Sequence, residues 1–172
     1  MKRVAIFLSL LLAACGEPEL TPKEQEAADL RAIAEVAAAQ EIPPTPVTPD
    51  PVTFADIEQN DLSGAECSFI LESGLAQAPD GEGVLALAQG EAAYVKIDGE
   101  IHRLAPDAGS PELPLGARGK YDGREYVLII DLAAEEGEQS GMETVDFPAR
   151  MELRNQRDQV VYGQTGIAQC GS

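Results

Sequence analysis

Three cysteines, a single histidine and a large surplus of carboxylates are the side chains of this sequence that could do chemistry. The lone His102 excludes metal sites built from several histidines, and the HExxH arrangement with them. It stands beside Arg103 in a segment that alternates polar and apolar residues, the setting of a surface strand position. No GxSxG elbow is present to raise a nucleophilic serine. Gly81 and Gly83 stand in a turn before a strand, whereas a phosphate-binding loop opens a helix. Asp131, Glu135, Glu136 and Glu138 have the composition of a calcium loop, but they lack the Asp-x-Asp-x-Asp-Gly spacing that wraps an ion and read as a solvated loop. Paired carboxylates can hydrolyse glycosides, yet the chain has no tryptophan and only 5% aromatic residues, which offers a sugar little to stack on. The expectation is therefore no catalytic residue, no metal and no cofactor, in a protein that is not an enzyme.

Charge narrows the partners. The 30 acidic residues outweigh 12 basic ones, for a formal charge of −18. Phosphate backbones need a basic footprint, so nucleic acid is excluded as a partner. The same field speeds encounters with cationic proteins and repels anionic lipid headgroups.

The elements that must position these groups begin at the amino terminus. Lys2 and Arg3 precede an uncharged apolar run from Val4 to Leu12 and then small residues, the order of a secretory signal. The run is far short of the roughly 20 residues that span a bilayer. Leu12-Ala13-Ala14-Cys15 resembles the lipobox of bacterial lipoproteins. The resemblance implies removal of residues 1–14, lipid on Cys15, and attachment of the mature chain to a membrane. Several acyl chains, each worth about 0.8 kcal/mol per buried CH₂, make such attachment effectively permanent. Gly16 follows the cysteine where an aspartate would signal inner-membrane retention, so the expected site is the periplasmic face of the outer membrane. Loss of Lys2 and Arg3 with the signal lowers the formal charge from −18 to −20.

With Cys15 assigned to lipid, Cys67 and Cys170 remain in an oxidising compartment and are expected to pair. Closing a loop of about 100 residues stabilises by at most about 4.7 kcal/mol in the chain-entropy description. The two cysteines bracket the apolar-rich part of the chain, about the size of one common domain.

Residues 15–52 read as a tether. Thr21 as N-cap, Pro22 at the first helical position and Glu24 three residues past the cap predict a helix over about 22–40. Ala27, Leu30, Ile33, Ala34 and Ala37 recur along it at helical spacing. Residues 42–51 hold five prolines in ten positions and read as an extended, semi-rigid polyproline spacer. Residues 53–172 read as a β-domain, opened by one capped turn at Thr53-Phe54-Ala55-Asp56-Ile57 whose Phe54 and Ile57 would pack on it. Alternating strands are predicted from Cys67, Val84–Leu87, Ala93–Ile97, Glu100–Leu104, Ala117–Tyr121, Arg124–Leu132, Val145–Leu153 and Gln159–Ala168. Asp98-Gly99 and Asp122-Gly123 have the chemistry of type I′ hairpins. Seven or eight short antiparallel strands predict a small barrel or sandwich closed by one disulfide.

Two resemblances attach to this domain. Glu66-Cys67-Ser68-Phe69, Gln139-Ser140-Gly141-Met142-Glu143 and Gly166-Ile167-Ala168-Gln169-Cys170 look like segments of small β-domains in alphaproteobacterial lipoproteins to which no activity is assigned. The leading strand cysteine, the hairpin Ala93 to Leu104 and Gly116-Ala117-Arg118-Gly119-Lys120-Tyr121 are similar to the membrane-bound inhibitors of C-type lysozyme. That family inserts a serine into the lysozyme cleft, and Leu115 takes its place here. The similarity makes Arg118, Lys120 and Tyr121 candidates for a partner-binding loop. The function expected is a noncatalytic, lipid-anchored envelope module that binds a periplasmic protein or has a structural role. The alternative is an inhibitor of a cationic lysozyme-type glycan hydrolase.

Overall fold

The computed structural model describes residues 21–40, 42–71 and 83–171; the signal segment and Cys15 lie outside the described residues. The chain divides into two compact units, 1–43 and 44–172. In the first, α1 (Pro22–Gln40) starts where the capping signal places it. The Thr21 amide and hydroxyl donate to Glu24 Oε2 at 2.8 and 2.6 Å, and the Glu24 amide donates back to Thr21 Oγ1 at 3.4 Å. These bonds favour the ionised carboxylate and hold the Glu24 pKa below its ordinary value. All of α1 is exposed, Leu30, Ile33 and Val36 included. No described helix is long and apolar enough to cross a membrane.

The second unit is a closed antiparallel barrel of eight strands. They are β2 (Glu66–Ile70), β3 (Val84–Ala88), β4 (Ala93–Ile97), β5 (Glu100–Pro106), β6 (Lys120–Asp122), β7 (Tyr126–Leu132), β9 (Val145–Asn155) and β10 (Val160–Gly171). Two short strands are added, β1 (Pro49–Asp50) and β8 (Glu138–Gln139). Around the barrel the order is β4, β3, β2, β10, β9, β7, β6, β5 and back to β4. Each predicted strand region contributes one of these eight. β1 continues the β3 edge of β4, and β8 continues the β7 edge of β9. Register places Cys67 directly opposite Cys170 on neighbouring strands, and the two form the disulfide.

The two-residue period of the strands sends apolar side chains inward. Phe69, Val95, Leu104, Tyr121, Leu128, Ile130, Met151 and Leu153 are almost wholly buried, with Ala86, Ala88, Ala93 and Ala168 among them. Small residues beside large ones let the side chains fill the eight-stranded interior. Among the described residues no polar or charged residue is buried. The outer wall carries the charges, the reverse of a barrel that faces lipid. Gly166 is required by close approach: a Cβ there would lie 2.9 Å from Phe69 Cζ and against the Ile70 carbonyl.

One patch of the outer wall is covered. The helix α2 (Phe54–Asn60) lies over β3, where Leu87 meets Val52, Leu62 and Ile57. β3 is thus apolar on both faces, which explains the uninterrupted run Val84-Leu85-Ala86-Leu87-Ala88. The predicted single turn is a seven-residue helix. Ile57 packs as expected, but Phe54 points outward and is 63% exposed, because the covered face is served by Ile57 and Leu62. Thr53 and Asp56 form a capping box, and Asp56 also holds Lys96 of β4 at 2.9 Å.

The proline segment departs from the semi-rigid spacer expected over 42–51 in being seated on the barrel from Pro44 onward. The barrel unit begins at Pro44, the Val47 amide donates to the Val161 carbonyl at 3.0 Å, and Pro49 and Asp50 pair with Ile97 and Lys96. Prolines tolerate an edge position with few donors to satisfy, and Val47 packs on the core. The domain therefore starts about ten residues before position 53. The hairpins also differ from one another. Asp98 and Gly99 have φ of 51° and 79°, as a type I′ turn requires. The second Asp-Gly pair makes a longer turn in which the Gly123 amide donates to the Tyr126 carbonyl at 2.9 Å.

Candidate functional site

Among the described residues, the upper end of the barrel carries the tight turns after β4, β6 and β9, together with Val47, where the chain joins the barrel. At the lower end are the disulfide and three longer connections, 89–92, 107–119 and 133–144. Two adjoining clefts open there, of about 760 and 690 Å³. They share Ala134 and Phe147, so the segment from Ala133 to Gln139 forms a ridge between and along them. Leu113, Pro114, Ile130, Leu132 and Phe147 make the first cleft apolar beneath a rim of Glu112, Asp131 and Glu135. Phe147, Pro148 and Ile167 do the same for the second, beneath Glu136, Glu138 and Asp146.

The loop from Pro106 to Lys120 shapes one wall. A 3-10 turn, Pro114–Gly116, packs over the disulfide, with the Pro114 carbonyl oxygen 3.7 Å from Cys67 Sγ. Leu115 takes the left-handed conformation, φ 61° and ψ 19°, while 49% exposed. A leucine in that region is strained by about 1 kcal/mol, and Gly116 follows at φ 78°. The turn holds because the Ala117 amide donates to Pro114 and the Leu113 amide to Ala117.

The three candidate loop residues are close in space and have different surroundings. Tyr121 is fully buried: its hydroxyl donates to the Gln89 carbonyl at 2.7 Å and accepts from the Arg118 amide at 2.7 Å. Burial raises its pKa, against the opposing pull of the Arg118 amide bond. It braces the 89–92 and 107–119 connections from inside and offers a partner no surface. Arg118 is part exposed and pairs with Glu112 at 3.5 Å. Lys120 lies between Asp122 and Asp107, both at 3.1 Å, and these carboxylates raise its pKa. The outward part of the loop is thus Leu115, Arg118 and Lys120.

Near the disulfide, Glu66 accepts from Gln89 Nε2 at 3.1 Å and Ser68 Oγ at 3.2 Å. Its burial raises the carboxyl pKa, and the two hydrogen bonds oppose that rise. His102 is half-buried, on the same face as Val95, and meets Tyr126 edge-to-face at 5.3 Å between ring centres. Among the described residues no group of three or more His, Cys, Asp or Glu is arranged to hold a metal. The clefts themselves escaped sequence reasoning, because Pro111 to Pro114 and Ala133 to Phe147 meet only once the barrel closes. No family model, no curated protein and no solved structure matches this chain.

Proposed function

We propose that the protein is a lipid-anchored envelope module that binds another protein through the outside of its barrel, without catalysis. The observation that carries this reading is the division of chemistry in the barrel unit. The interior is filled with apolar side chains and braced by the disulfide, while polar and charged groups line the surface clefts at one end. A filled barrel leaves the outside to meet a partner, and rigid strands with shaped connections are the usual platform for that. The lipobox at Leu12 to Cys15 supplies the attachment. Crosslinking in intact cells followed by mass spectrometry tests the reading: adducts to a specific protein are expected, and their absence overturns it.

The formal charge of −18 favours a second reading, inhibition of a cationic glycan hydrolase. It predicts inhibition of a C-type lysozyme at micromolar concentration. Full lysozyme activity under that condition removes it.

A further inference from the structure

The barrel surface has an asymmetry that net acidity alone does not produce. Most basic side chains of the barrel unit sit on its wall or in the opposite turns, mostly with acidic partners: Lys96 with Asp56, Arg150 and Arg154 with Glu152, and Arg154 with Asp158; at the lower end Arg118 pairs with Glu112, and Lys120 with Asp107 and Asp122. The two lower clefts are lined by six carboxylates and by no lysine, arginine or histidine. Among the described residues no cation pairs with Asp131, Glu135, Glu136 or Glu138, while apolar Leu132 and Phe147 lie beneath them. An apolar floor under an acidic rim in which, among the described residues, only Glu112 meets a cation is complementary to one kind of surface, a basic segment carrying an apolar side chain.

The chain's path supports the same partner. Within the barrel unit the chain enters at the upper end, at Val47, and the clefts lie at the other end of the barrel. The groove is also firm. Phe147 is 7% exposed, Ser140 Oγ and Gln169 Nε2 hold Asp146 at 2.7 and 3.0 Å, and β8 ties the ridge to β9. A pre-shaped groove loses little ordering entropy on binding.

We infer that the paired clefts at the lower end of the barrel are a docking groove for a basic segment of a partner protein, with an apolar side chain of that segment seated on Phe147. This deepens the module reading above and rests on it.

The test uses the full chain and three fluorescein-labelled twelve-residue peptides: alternating Lys-Phe, alternating Lys-Ser and alternating Glu-Phe. Binding is followed by anisotropy at 0.15 M salt. The Lys-Phe peptide is expected to bind at least about tenfold tighter than the Lys-Ser peptide, and the Glu-Phe peptide not to bind. The exposed triple Glu135→Lys, Glu136→Lys, Glu138→Lys is expected to weaken Lys-Phe binding at least about tenfold. An equal charge change elsewhere, Glu58→Lys, Glu100→Lys, Glu125→Lys, is expected to change it less than about twofold. Equal losses in the two triples would reduce the effect to net charge and overturn the inference. So would equal affinity for the Lys-Phe and Lys-Ser peptides, no binding of the Lys-Phe peptide, or a dimer of the chain that the first triple abolishes. Crosslinks in cells that map to another face would end the groove and leave the module standing, whereas no crosslinks at all would end both.

Discussion

Asp56 joins three parts of the barrel unit, and its removal has a calculable effect. Both its oxygens lie 2.9 Å from Lys96 Nζ, Oδ2 accepts from the Thr53 amide and hydroxyl, and the Thr53 hydroxyl in turn accepts from the Asp56 amide. The Thr53 hydroxyl bond, then Lys96 and the Thr53 amide, lower its pKa from 3.8 to about 2. At about 1.4 kcal/mol per unit the shift caps the stabilisation at roughly 2.5 kcal/mol. The side chains of Lys96 and Asp56 remain 19% and 18% exposed, and solvent screening reduces the figure to about 1 kcal/mol. Asp56→Ala should therefore lower stability by about 1 kcal/mol at pH 7, or the melting temperature by about 4 °C. The folded carboxyl is the stronger acid, so the contribution is complete above pH 3.8 and disappears as pH falls toward 2. The gap between native chain and variant should halve near pH 3. Urea unfolding followed by tyrosine near-UV circular dichroism at pH 7, 5, 3 and 2 measures it. Equal midpoints at pH 7, or a gap that widens in acid, would refute the account of how α2 is fastened.

Other expectations follow from the same geometry. Replacing Cys67 and Cys170 by alanine opens a crosslink of separation 103 and should cost about 2–4 kcal/mol by urea unfolding; an unchanged midpoint would show the barrel closed without it. Gly166→Ala forces a Cβ against the Ile70 carbonyl and Phe69, and should destabilise by about 1–3 kcal/mol in the same assay. Tyr121→Phe leaves the Gln89 carbonyl and Arg118 amide without their partner, for a loss of about 1–3 kcal/mol. Affinity for the Lys-Phe peptide should stay unchanged, which an anisotropy titration checks. Cys15→Ser should leave a chain without acyl mass that fractionates away from membranes, as intact mass and membrane fractionation would report.

Much of the fold was readable because its signals are local. Thr21 and Glu24 three residues apart mark the start of α1, and the alternation Ala93-Tyr94-Val95-Lys96-Ile97 marks β4 with its inward face. Asp98-Gly99 identifies its turn because two consecutive left-handed residues are needed there. Asp122-Gly123 did not, since the closing of β6 on β7 and the nearness of Leu104 to Gly123 select a longer turn. The sequence pattern was compatible with barrel or sandwich, because closure depends on β4 pairing with both β3 and β5, a long-range fact. The proline segment misled for a similar reason: its extended backbone is local, while its seat against Val161 and Ile97 is tertiary. Tyr121 looked like a loop residue, and only the register with Leu128 turns it inward.

The most direct test of a barrel that works through its lower end, away from the turns where Val47 enters, is site-specific photo-crosslinking in intact cells. A photoreactive residue replaces Ala134 on the ridge between the clefts in one strain, and Arg124 in an upper turn in another. The account predicts a discrete adduct to a basic protein from position 134 and none from position 124. An adduct from 124 with none from 134 would contradict it.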